Sequence, residues 1–285
     1  MTFSIAASQD DAFGVAVASK FIAVGSVVPA ARIGVGAVAT QAMAKVSYRD
    51  DVLDLLATGM DAEQAVASVT CADEGRAHRQ LGVVAATSQA SYTGPECMDW
   101  AGGRSGADAS GRYAIQGNIL TGEDVVLAME RAWLDAAGMP LPRRLLAALL
   151  AGDAAGGDAR GRQGAALVVV QPGKGYDESG VLVDLRVDDH PAAPDELGRL
   201  LDLNDLYFGE PQDVQPLTGP LADEVATRLA LLGHRAPSAD EALASWSGVE
   251  NYEMLLTPGG IDGRVLAALR AATPADGFSP GPARG

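Results

Sequence analysis

The first residues of the chain, Met1-Thr2-Phe3-Ser4-Ile5, place a hydroxyl amino acid directly after the initiator methionine and at the start of an alternating strand. If Met1 is removed, Thr2 carries a hydroxyl nucleophile and a free α-amine on one residue. A threonine hydroxyl is inert at neutral pH unless a base takes its proton, and an unprotonated α-amine is such a base. The unperturbed pKa of this amine, roughly 7.7 to 8.0, suits that task. In the alternative interpretation, Thr2 is an ordinary strand residue.

A cation could assist this amine. Ser19 and Lys20 end the second strand of a predicted N-terminal hairpin, so they return toward Thr2. A nearby positive charge disfavours protonation of the amine and also stabilises a developing oxyanion. Lys20 is therefore the first candidate for this role and Arg32 the second. The alternative for Lys20 is a solvated cation at a strand end.

Hydrophobic periodicity outlines the elements that must position these residues. The residue pattern predicts strands over 3–8, 14–19, 33–40, 81–86, 90–93, 113–117, 165–170 and 181–187. It predicts two helices from residue 48 onward that are separated at Gly59, and further helices over 121–137, 141–151, 194–208, 221–232, 239–247 and 261–272. This order is not the strict βαβα alternation of a nucleotide-binding sheet. It favours an α+β fold in which two stacked sheets lie between helical layers.

The domain organisation follows from composition along the chain. A Pro-rich, turn-like segment over 210–219 predicts a linker. It divides a main domain over 1–209 from a small all-α appendage over 220–272. The tail over 273–285 can bury almost nothing, so we expect it to be disordered.

Charge and cysteine content exclude several partners. The net charge is −16 and the pI is near 4.5, without a cluster of basic residues, which argues against nucleic acid. The two cysteines, Cys71 and Cys97, lack the spacing of a zinc or redox motif and are too few for a disulfide framework. We find neither a signal-peptide pattern nor an apolar run long enough for a membrane span. The sequence therefore predicts a cytoplasmic protein with no membrane partner.

Several motifs of the strands and loops belong together: Thr2-Phe3-Ser4-Ile5, the segments 14–21 and 34–42, Gln116-Gly117-Asn118, and the segments 156–163 and 184–190. Taken jointly, they resemble a bacterial family, the domain-of-unknown-function 1028 family of the N-terminal-nucleophile (Ntn) hydrolase superfamily. The resemblance covers about residues 1 to 209. A weaker resemblance links the segment 244–251 to a peptidoglycan-binding-like module.

The resemblance implies a four-layer αββα sandwich that hydrolyses amide bonds, with the N-terminal residue of the mature chain at the end of a sheet strand. It does not imply a substrate. An acyl-transfer enzyme needs hydrogen-bond donors for the oxyanion. By fold analogy these donors lie at Thr40 and Gln41, where the third strand ends. Asn118 could add a side-chain amide, or it could be a turn residue before the next helix.

A glycine-rich loop before the strand at 165 carries Asp158, Arg160, Arg162 and Gln163. Two arginines in such a loop suggest bidentate capture of a substrate carboxylate. The alternative is a structural ion pair with Asp158. The segment 184–190 also contains oxygen and nitrogen ligands, but alternate residues of a strand point to opposite faces, so we expect no metal site there.

Together these observations predict a cofactor-free amidohydrolase that cleaves a C–N bond of a small, carboxylate-bearing amide through Thr2 and its α-amine. The predicted catalytic, oxyanion and substrate-binding residues are Thr2, Ser19, Lys20, Asn118, Thr40, Gln41, Arg32, Asp158, Arg160, Arg162 and Gln163. The alternative is a non-catalytic binding or scaffold protein whose C-terminal module contacts cell-wall peptides or proteins. We also expect a homo-oligomer.

Overall fold

The computed structural model describes residues 2–273, and its contacts divide the chain into two compact units. The boundary lies between Leu200 and Leu201. Met1, on which the predicted processing acts, and all of the predicted tail except Thr273 lie outside the described residues. None of the helices within residues 2–273 combines the length and the apolar character that a membrane span requires.

The first unit is mixed α and β. Its strands are β1 (Thr2–Gln9), β2 (Ala12–Ser19), β3 (Pro29–Arg32), β4 (Gly36–Ala42), β5 (Arg79–Ala85), β6 (Gln89–Thr93), β7 (Gly102–Asp108), β8 (Gly111–Asn118), β9 (Gly164–Val170) and β10 (Val181–Val187). Its helices are α1 (Tyr48–Ala57), α2 (Ala62–Cys71), α3 (Asp124–Asp135) and α4 (Leu141–Ala154). The boundary to the second unit falls within α5 (Ala193–Phe208).

The strands form two antiparallel sheets. The larger sheet has six strands in the order β10-β9-β2-β1-β8-β7, and the smaller has four in the order β3-β4-β5-β6. Helices α3 and α4 pack on the outer face of the larger sheet, while α1 and α2 cover the outer face of the smaller one. The inner faces meet in a buried core of small and β-branched side chains such as Val15, Val17, Ala37 and Ala39. The predicted four-layer αββα arrangement is confirmed.

Strand β1 is central because its residues fit between two covering layers. It pairs with β2 on one side and with β8 on the other. Every residue from Thr2 to Ser8 is buried, including the large side chains of Phe3 and Ile5, as expected for a strand that is covered on both faces. The first residue of the strand therefore starts inside the sandwich rather than on its surface.

The structure differs from the sequence prediction at several places. The run over 33–40 is not one strand, because Ile33 to Val35 form a turn in which Gly34 has a φ of +69°. Strand β7 was missed because it is an exposed edge strand of glycine and polar residues, without an apolar alternation. The helix predicted from Thr121 begins at Asp124, since the N–H of Thr121 instead donates to the carbonyl of Gly157 at 3.2 Å.

The second unit is a small helical bundle with a short ribbon. It contains β11 (Gln215–Pro216), α6 (Gly219–Leu231), α7 (Ala239–Glu250), β12 (Gly260–Ile261) and α8 (Gly263–Ala272). Tyr207 stacks on Tyr252 with the ring centroids 5.9 Å apart, so residues before 209 already belong to this core. The predicted linker over 210–219 contains β11, which pairs with β12. The predicted start of the appendage at 220 is therefore too late.

Candidate functional site

Thr2 lies where three strands of the larger sheet begin or end. Its backbone is in register with Asn118, the last residue of β8, and the next residue Phe3 is in register with Ala18. This register places Thr2 beside Ser19, the last residue of β2. The Oγ1 of Thr2 lies 3.1 Å from the Oγ of Ser19, and both side chains are buried. The end of β2 therefore lies next to Thr2, as the predicted hairpin requires.

Further polar contacts lie on the inner face of β1, between the two sheets. The hydroxyl of Ser4 donates to Oε1 of Gln41 on the smaller sheet at 2.6 Å. It accepts from Nε2 of Gln116 at the same distance. These groups are buried and have few alternative partners. Their hydrogen bonds therefore fix the position of the two sheets relative to each other near Thr2.

A cluster of buried amide side chains holds the carbonyl oxygen of Thr2. Nε2 of Gln41 donates to this oxygen at 3.2 Å, and Nδ2 of Asn118 lies 3.5 Å from it. Both amides also donate to Oε1 of Gln80, at 2.7 and 3.0 Å. Nε2 of Gln80 in turn donates to the carbonyl of Gly117 at 2.7 Å. Gln80, on β5 of the smaller sheet, therefore joins β4 of its own sheet to β8 of the larger sheet. We call Gln41, Gln80, Gln116 and Asn118 the amide cluster.

The predicted oxyanion donors have other partners. The backbone N–H of Thr40 donates to the carbonyl of Val28 at 3.1 Å, and its hydroxyl donates to the carbonyl of Lys45 at 3.3 Å. The side-chain amide of Gln41 donates to the carbonyl oxygen of Thr2, and its backbone pairs with Gln80 on β5. The prediction that Thr40 supplies an oxyanion donor was wrong, because both of its donors already bind backbone carbonyls of loop residues next to the strands. Asn118 ends a strand and is not a turn residue.

Lys20 and Asp158 fasten the glycine-rich loop to the end of β2. The buried carboxylate of Asp158 accepts from the N–H of Lys20 at 2.7 Å and from the N–H of Arg160 at 2.9 Å. Nζ of Lys20 donates to the carbonyl of Arg162 at 3.3 Å. Gln163 donates from its backbone to the carbonyl of Ser19 at 3.1 Å. These contacts give Lys20 and Asp158 a positioning role next to Ser19.

Both predicted carboxylate-binding arginines form ion pairs. The guanidinium of Arg160 lies 3.2 Å from Asp158, and that of Arg162 lies 2.7 Å from Asp153. The hydrogen bond with Asp153 raises the pKa of Arg162. The ion-pair alternative describes this loop better than carboxylate capture, because each cation already has an anionic partner.

Arg32 does not belong to the site. It is in register with Gly36 at the start of β4, whereas Gln41 lies near the end of that strand. About 17 Å of strand separates these two positions. The guanidinium pairs with Asp54 of α1 at 2.7 Å. The prediction that Arg32 acts on the amine of Thr2 was wrong.

A cavity of about 410 Å³ opens at the same end of the sandwich. We call it the methionine cavity, and its walls include Ala42, Met43, Met98, Asn118 and Ile119. His78 and Glu96 lie at its edge and pair with each other at 2.9 Å. Asn118 belongs both to this cavity and to the cluster around the carbonyl oxygen of Thr2, so the cavity lies beside the peptide unit of Thr2.

A buried charge supports one wall of this cavity. Arg79, at the start of β5, donates to the carbonyl of Met43 and pairs with Asp73 at 2.9 Å. The hydrogen bond from Arg79 holds the pKa of Asp73 well below its usual range. The hydroxyl of Tyr48 also donates to Asp73, and burial raises the pKa of Tyr48 well above its usual range. The Met43 wall is therefore tied to a carboxylate that stays ionised.

Comparison with known proteins identifies the family. A model described as "Family of unknown function (DUF1028)" matches residues 2–197, which is more than half of the chain. The chain belongs to the DUF1028 family. A second model, described as "Putative peptidoglycan binding domain", matches residues 207–269. A search of curated proteins finds no match.

A solved structure of the DUF1028 family is similar to this chain. It is the crystal structure of protein SPO2555 from Silicibacter pomeroyi, which is 33% identical. The match covers 78% of this chain and 92% of the other, with a TM-score of 0.61. The similarity therefore extends well beyond the strands that surround Thr2.

The DUF1028 site also contains residues that sequence reasoning did not select. These are Ser4, Gln80 and Gln116, together with the methionines of the cavity. A signal existed for Ser4, because it follows Thr2 at the period of two that places both on one strand face. A lone glutamine at the start of the apolar strand β5 was a second signal. Metal ligands do not add to the site, since residues 2–273 contain no group of three or more His, Cys, Asp or Glu placed to hold an ion.

We predict that Gly82→Ala in this DUF1028 chain disturbs the amide cluster. A Cβ at Gly82 would collide with the amide of Gln116, which lies on the opposite sheet. Because the interior is close-packed, we expect a loss of roughly 1 to 3 kcal/mol in the free energy of unfolding. Urea denaturation measures this loss. Gly122→Ala is the matched control, since its added Cβ meets nothing within 4 Å; equal stability of the two variants would contradict the prediction.

Proposed function

We propose that this chain is a cofactor-free amidohydrolase of the N-terminal-nucleophile type, which cleaves a linear or cyclic C–N amide bond through Thr2 once Met1 is removed. One observation carries the proposal. The Thr2 hydroxyl is held between two strand ends, 3.1 Å from the Ser19 hydroxyl. The amide of Asn118, which lies 3.5 Å from the Thr2 carbonyl oxygen, lines a 410 Å³ cavity. A first residue that is placed so specifically is suited to chemistry that needs both its side chain and its amine.

The proposed reaction uses groups of Thr2 alone for its covalent steps. While Met1 is attached, the nitrogen of Thr2 is an amide and cannot act as a base. After its removal, the free amine takes the proton of Oγ1 as this oxygen attacks the carbonyl carbon. The amine then gives that proton to the leaving nitrogen, and an ester forms between Oγ1 and the acyl group. Water, deprotonated by the same amine, hydrolyses the ester and restores Thr2.

The neighbours of Thr2 orient these groups. Ser19 can donate to or accept from Oγ1, so its hydroxyl can pass a proton between Oγ1 and the amine. Gln41 and Asn118 hold the carbonyl of Thr2, which fixes the direction of the peptide unit that carries the amine. We place Ser19 among the catalytic residues and assign the two amides a positioning role.

The proposed substrate is a small amide. The expectation that it carries a carboxylate rested on Arg160 and Arg162, and both pair with aspartates. That part of the hypothesis therefore has no support in the geometry of the loop. The arrangement around Thr2 supports the amide bond as the group that reacts, and it gives no support for a carboxylate.

A screen of small amides and ureides with the processed full-length chain tests the proposal. We expect hydrolysis of at least one amide class, at a rate that EDTA does not change, because no step uses a metal. The assay measures release of the amine product. Failure to cleave any member of a broad panel, by protein that lacks Met1, would contradict the proposal.

The match of residues 207–269 to a peptidoglycan-binding model favours a second function, that of a binding or scaffold protein. In this case the chain retains the sandwich but performs no chemistry, and its C-terminal unit contacts cell-wall peptides. Binding of muropeptides without turnover of any amide would support this function over the hydrolase. Cytoplasmic location, homo-oligomerisation and the lack of a nucleic-acid partner remain predictions from the sequence.

A further inference from the structure

The methionine cavity begins at the residues that hold Thr2. Asn118 lines the cavity and lies 3.5 Å from the carbonyl oxygen of Thr2. Ala42 lines it as well and directly follows Gln41, whose amide donates to the same oxygen. A group bound in this cavity therefore lies next to the peptide unit of Thr2.

Two unusual backbone conformations shape the entrance of the cavity. Ala42 has a φ of +67° and Ile119 a φ of +50°, and each is the left-handed residue at the end of its strand. A β-branched residue rarely adopts this conformation, which persists where surrounding structure holds it. The N–H of Ile119 donates to the carbonyl of Met98 at 3.1 Å, and the N–H of Met43 donates to the carbonyl of His78 at 3.1 Å. Strained backbone of this kind concentrates at ligand sites.

The walls of the cavity are apolar and adaptable. Met43 is 65% exposed and Met98 is 69% exposed, although both are large apolar side chains. Unbranched thioethers adjust to the shape of an apolar ligand and provide polarisable contacts. Burial raises the pKa of the Cys97 thiol, which also lines the cavity, so this group stays neutral. A volume of 410 Å³ lies within the usual range for small-molecule sites.

The charge of the cavity argues against an anionic ligand. Among the lining residues that the structure describes, His78 is the one basic side chain, and it pairs with Glu96 at 2.9 Å. Glu96 also adds a carboxylate to the edge. A ligand carboxylate would therefore lose hydration without gaining a cation of its own.

We propose that the methionine cavity binds an uncharged aliphatic acyl group of the amide substrate, with the scissile carbonyl at the Asn118 end. The substrate part of this inference rests on the proposed hydrolase function. The binding part stands on the cavity alone, and it replaces the carboxylate-bearing substrate with an acyl amide of several methylene groups.

Binding of p-nitroanilides to the full-length Thr2→Ala variant without Met1 tests this inference, because the variant separates binding from turnover. The probes are the acetyl, butyryl, hexanoyl and succinyl p-nitroanilides, titrated by calorimetry. Each buried methylene should strengthen binding about threefold to fourfold, so we expect the hexanoyl probe to bind on the order of 10²-fold more tightly than the acetyl probe. The succinyl probe should bind more weakly than the butyryl probe of equal chain length.

Variants of the wall locate the binding. Met98→Asp should weaken hexanoyl binding at least about tenfold, because it adds a charge beside the buried chain. Met98→Leu should change it less than about threefold. Met254→Asp provides the matched control, since Met254 is 51% exposed and belongs to the second unit. Unchanged melting temperatures show that each variant is folded.

The outcomes separate this inference from the proposed function. Equal binding of the acetyl and hexanoyl probes, tighter binding of the succinyl than the butyryl probe, or no effect of Met98→Asp would overturn the acyl site. If chain-length-dependent binding is found but processed wild-type protein cleaves no amide, the acyl site stands and the hydrolase fails. If amides are cleaved with no dependence on acyl length in either rate or binding, the hydrolase stands and the acyl site fails.

Discussion

We expect replacement of Thr2 by alanine to abolish the proposed amide hydrolysis and to leave the fold intact. The variant retains the α-amine but loses Oγ1, the atom that forms the ester. Loss of a covalent nucleophile lowers kcat by at least about 10³-fold, because only substrate binding and polar stabilisation remain. Stability changes little, since the hydroxyl makes a 3.1 Å contact with Ser19 and one such hydrogen bond contributes about 1 kcal/mol. Amide turnover and the melting temperature are the two measurements.

Two variants control for effects on the strand. Thr2→Ser keeps an oxygen nucleophile and should retain part of the activity. Ser8→Ala removes a buried hydroxyl from the far end of the same strand, on the same face, and should leave activity unchanged. A Thr2→Ala variant that hydrolyses amides at the wild-type rate would disprove the nucleophile. A large drop in its melting temperature would instead favour Thr2 as an ordinary strand residue.

The same mechanism fixes the sign of the pH dependence. The amine acts as a base only when it is unprotonated, so kcat/KM should rise with pH through the amine pKa, near the unperturbed range of roughly 7.7 to 8.0. Activity is thus lost as the pH falls below this range. A rate that does not depend on pH between about 6 and 9 would argue against the amine as the base.

Replacement of Gln80 by leucine should destabilise the first unit strongly. Gln80 is fully buried, and it accepts hydrogen bonds from Gln41 and Asn118 while its own amide donates to the carbonyl of Gly117. Leucine has a similar size but cannot make these bonds, so several buried polar groups lose a partner. Each costs about 1 to 3 kcal/mol, which predicts a total loss of roughly 3 kcal/mol or more in the free energy of unfolding.

Urea denaturation measures this effect as a lower midpoint with an unchanged slope. Gln64→Leu is the matched control, because Gln64 is exposed on α2 and should tolerate the change within about 0.5 kcal/mol. If Gln80→Leu proves as stable as this control, the amide cluster does not hold the two sheets together. Loss of activity at unchanged stability would indicate that Gln80 acts on Thr2 rather than on the fold.

Much of the fold was predictable because β1, β2, β5 and β9 are long, apolar and bounded by turn residues. The two sheets and their helical layers follow from such strands and from amphipathic helices. Strand β7 was not predictable in this way, because it carries glycine and polar residues at an exposed edge. The domain boundary was misplaced because Leu206 and Tyr207 pack on a core whose other residues lie further along the chain.

The candidate site was predictable in its local part only. Ser19 could be placed beside Thr2 because a hairpin returns the chain after a short turn. The partners of Arg32 and Gln80 depend on contacts between elements that are distant in sequence, such as that between Gln80 and Gly117. No local pattern encodes those contacts. For the arginines of the glycine-rich loop, the sequence left both carboxylate capture and an ion pair with Asp158 open. The structure shows ion pairs of Arg160 with Asp158 and of Arg162 with Asp153.

The proposed substrate class follows from a difference between the sequence prediction and the structure. Charged residues near the site suggested an anionic ligand, but their charges are paired within the protein. Two cavities lie near Thr2: one of about 200 Å³ is lined by Ser19, Asp158 and Arg162, and the larger one is the methionine cavity. The methionine cavity lacks an unpaired cation among its described residues. Acyl amides are therefore the first compounds to include in any activity screen.

The mass of the protein that carries the activity tests the central claim most directly. Intact-mass measurement and N-terminal peptide mapping of the active fraction should show a chain that begins at Thr2. A protein variant that retains Met1 should have no amide hydrolase activity, so adding it to the active fraction should not raise the rate. Amide hydrolysis by protein that still carries Met1 would contradict the account, because its Thr2 nitrogen would be an amide with no basic lone pair.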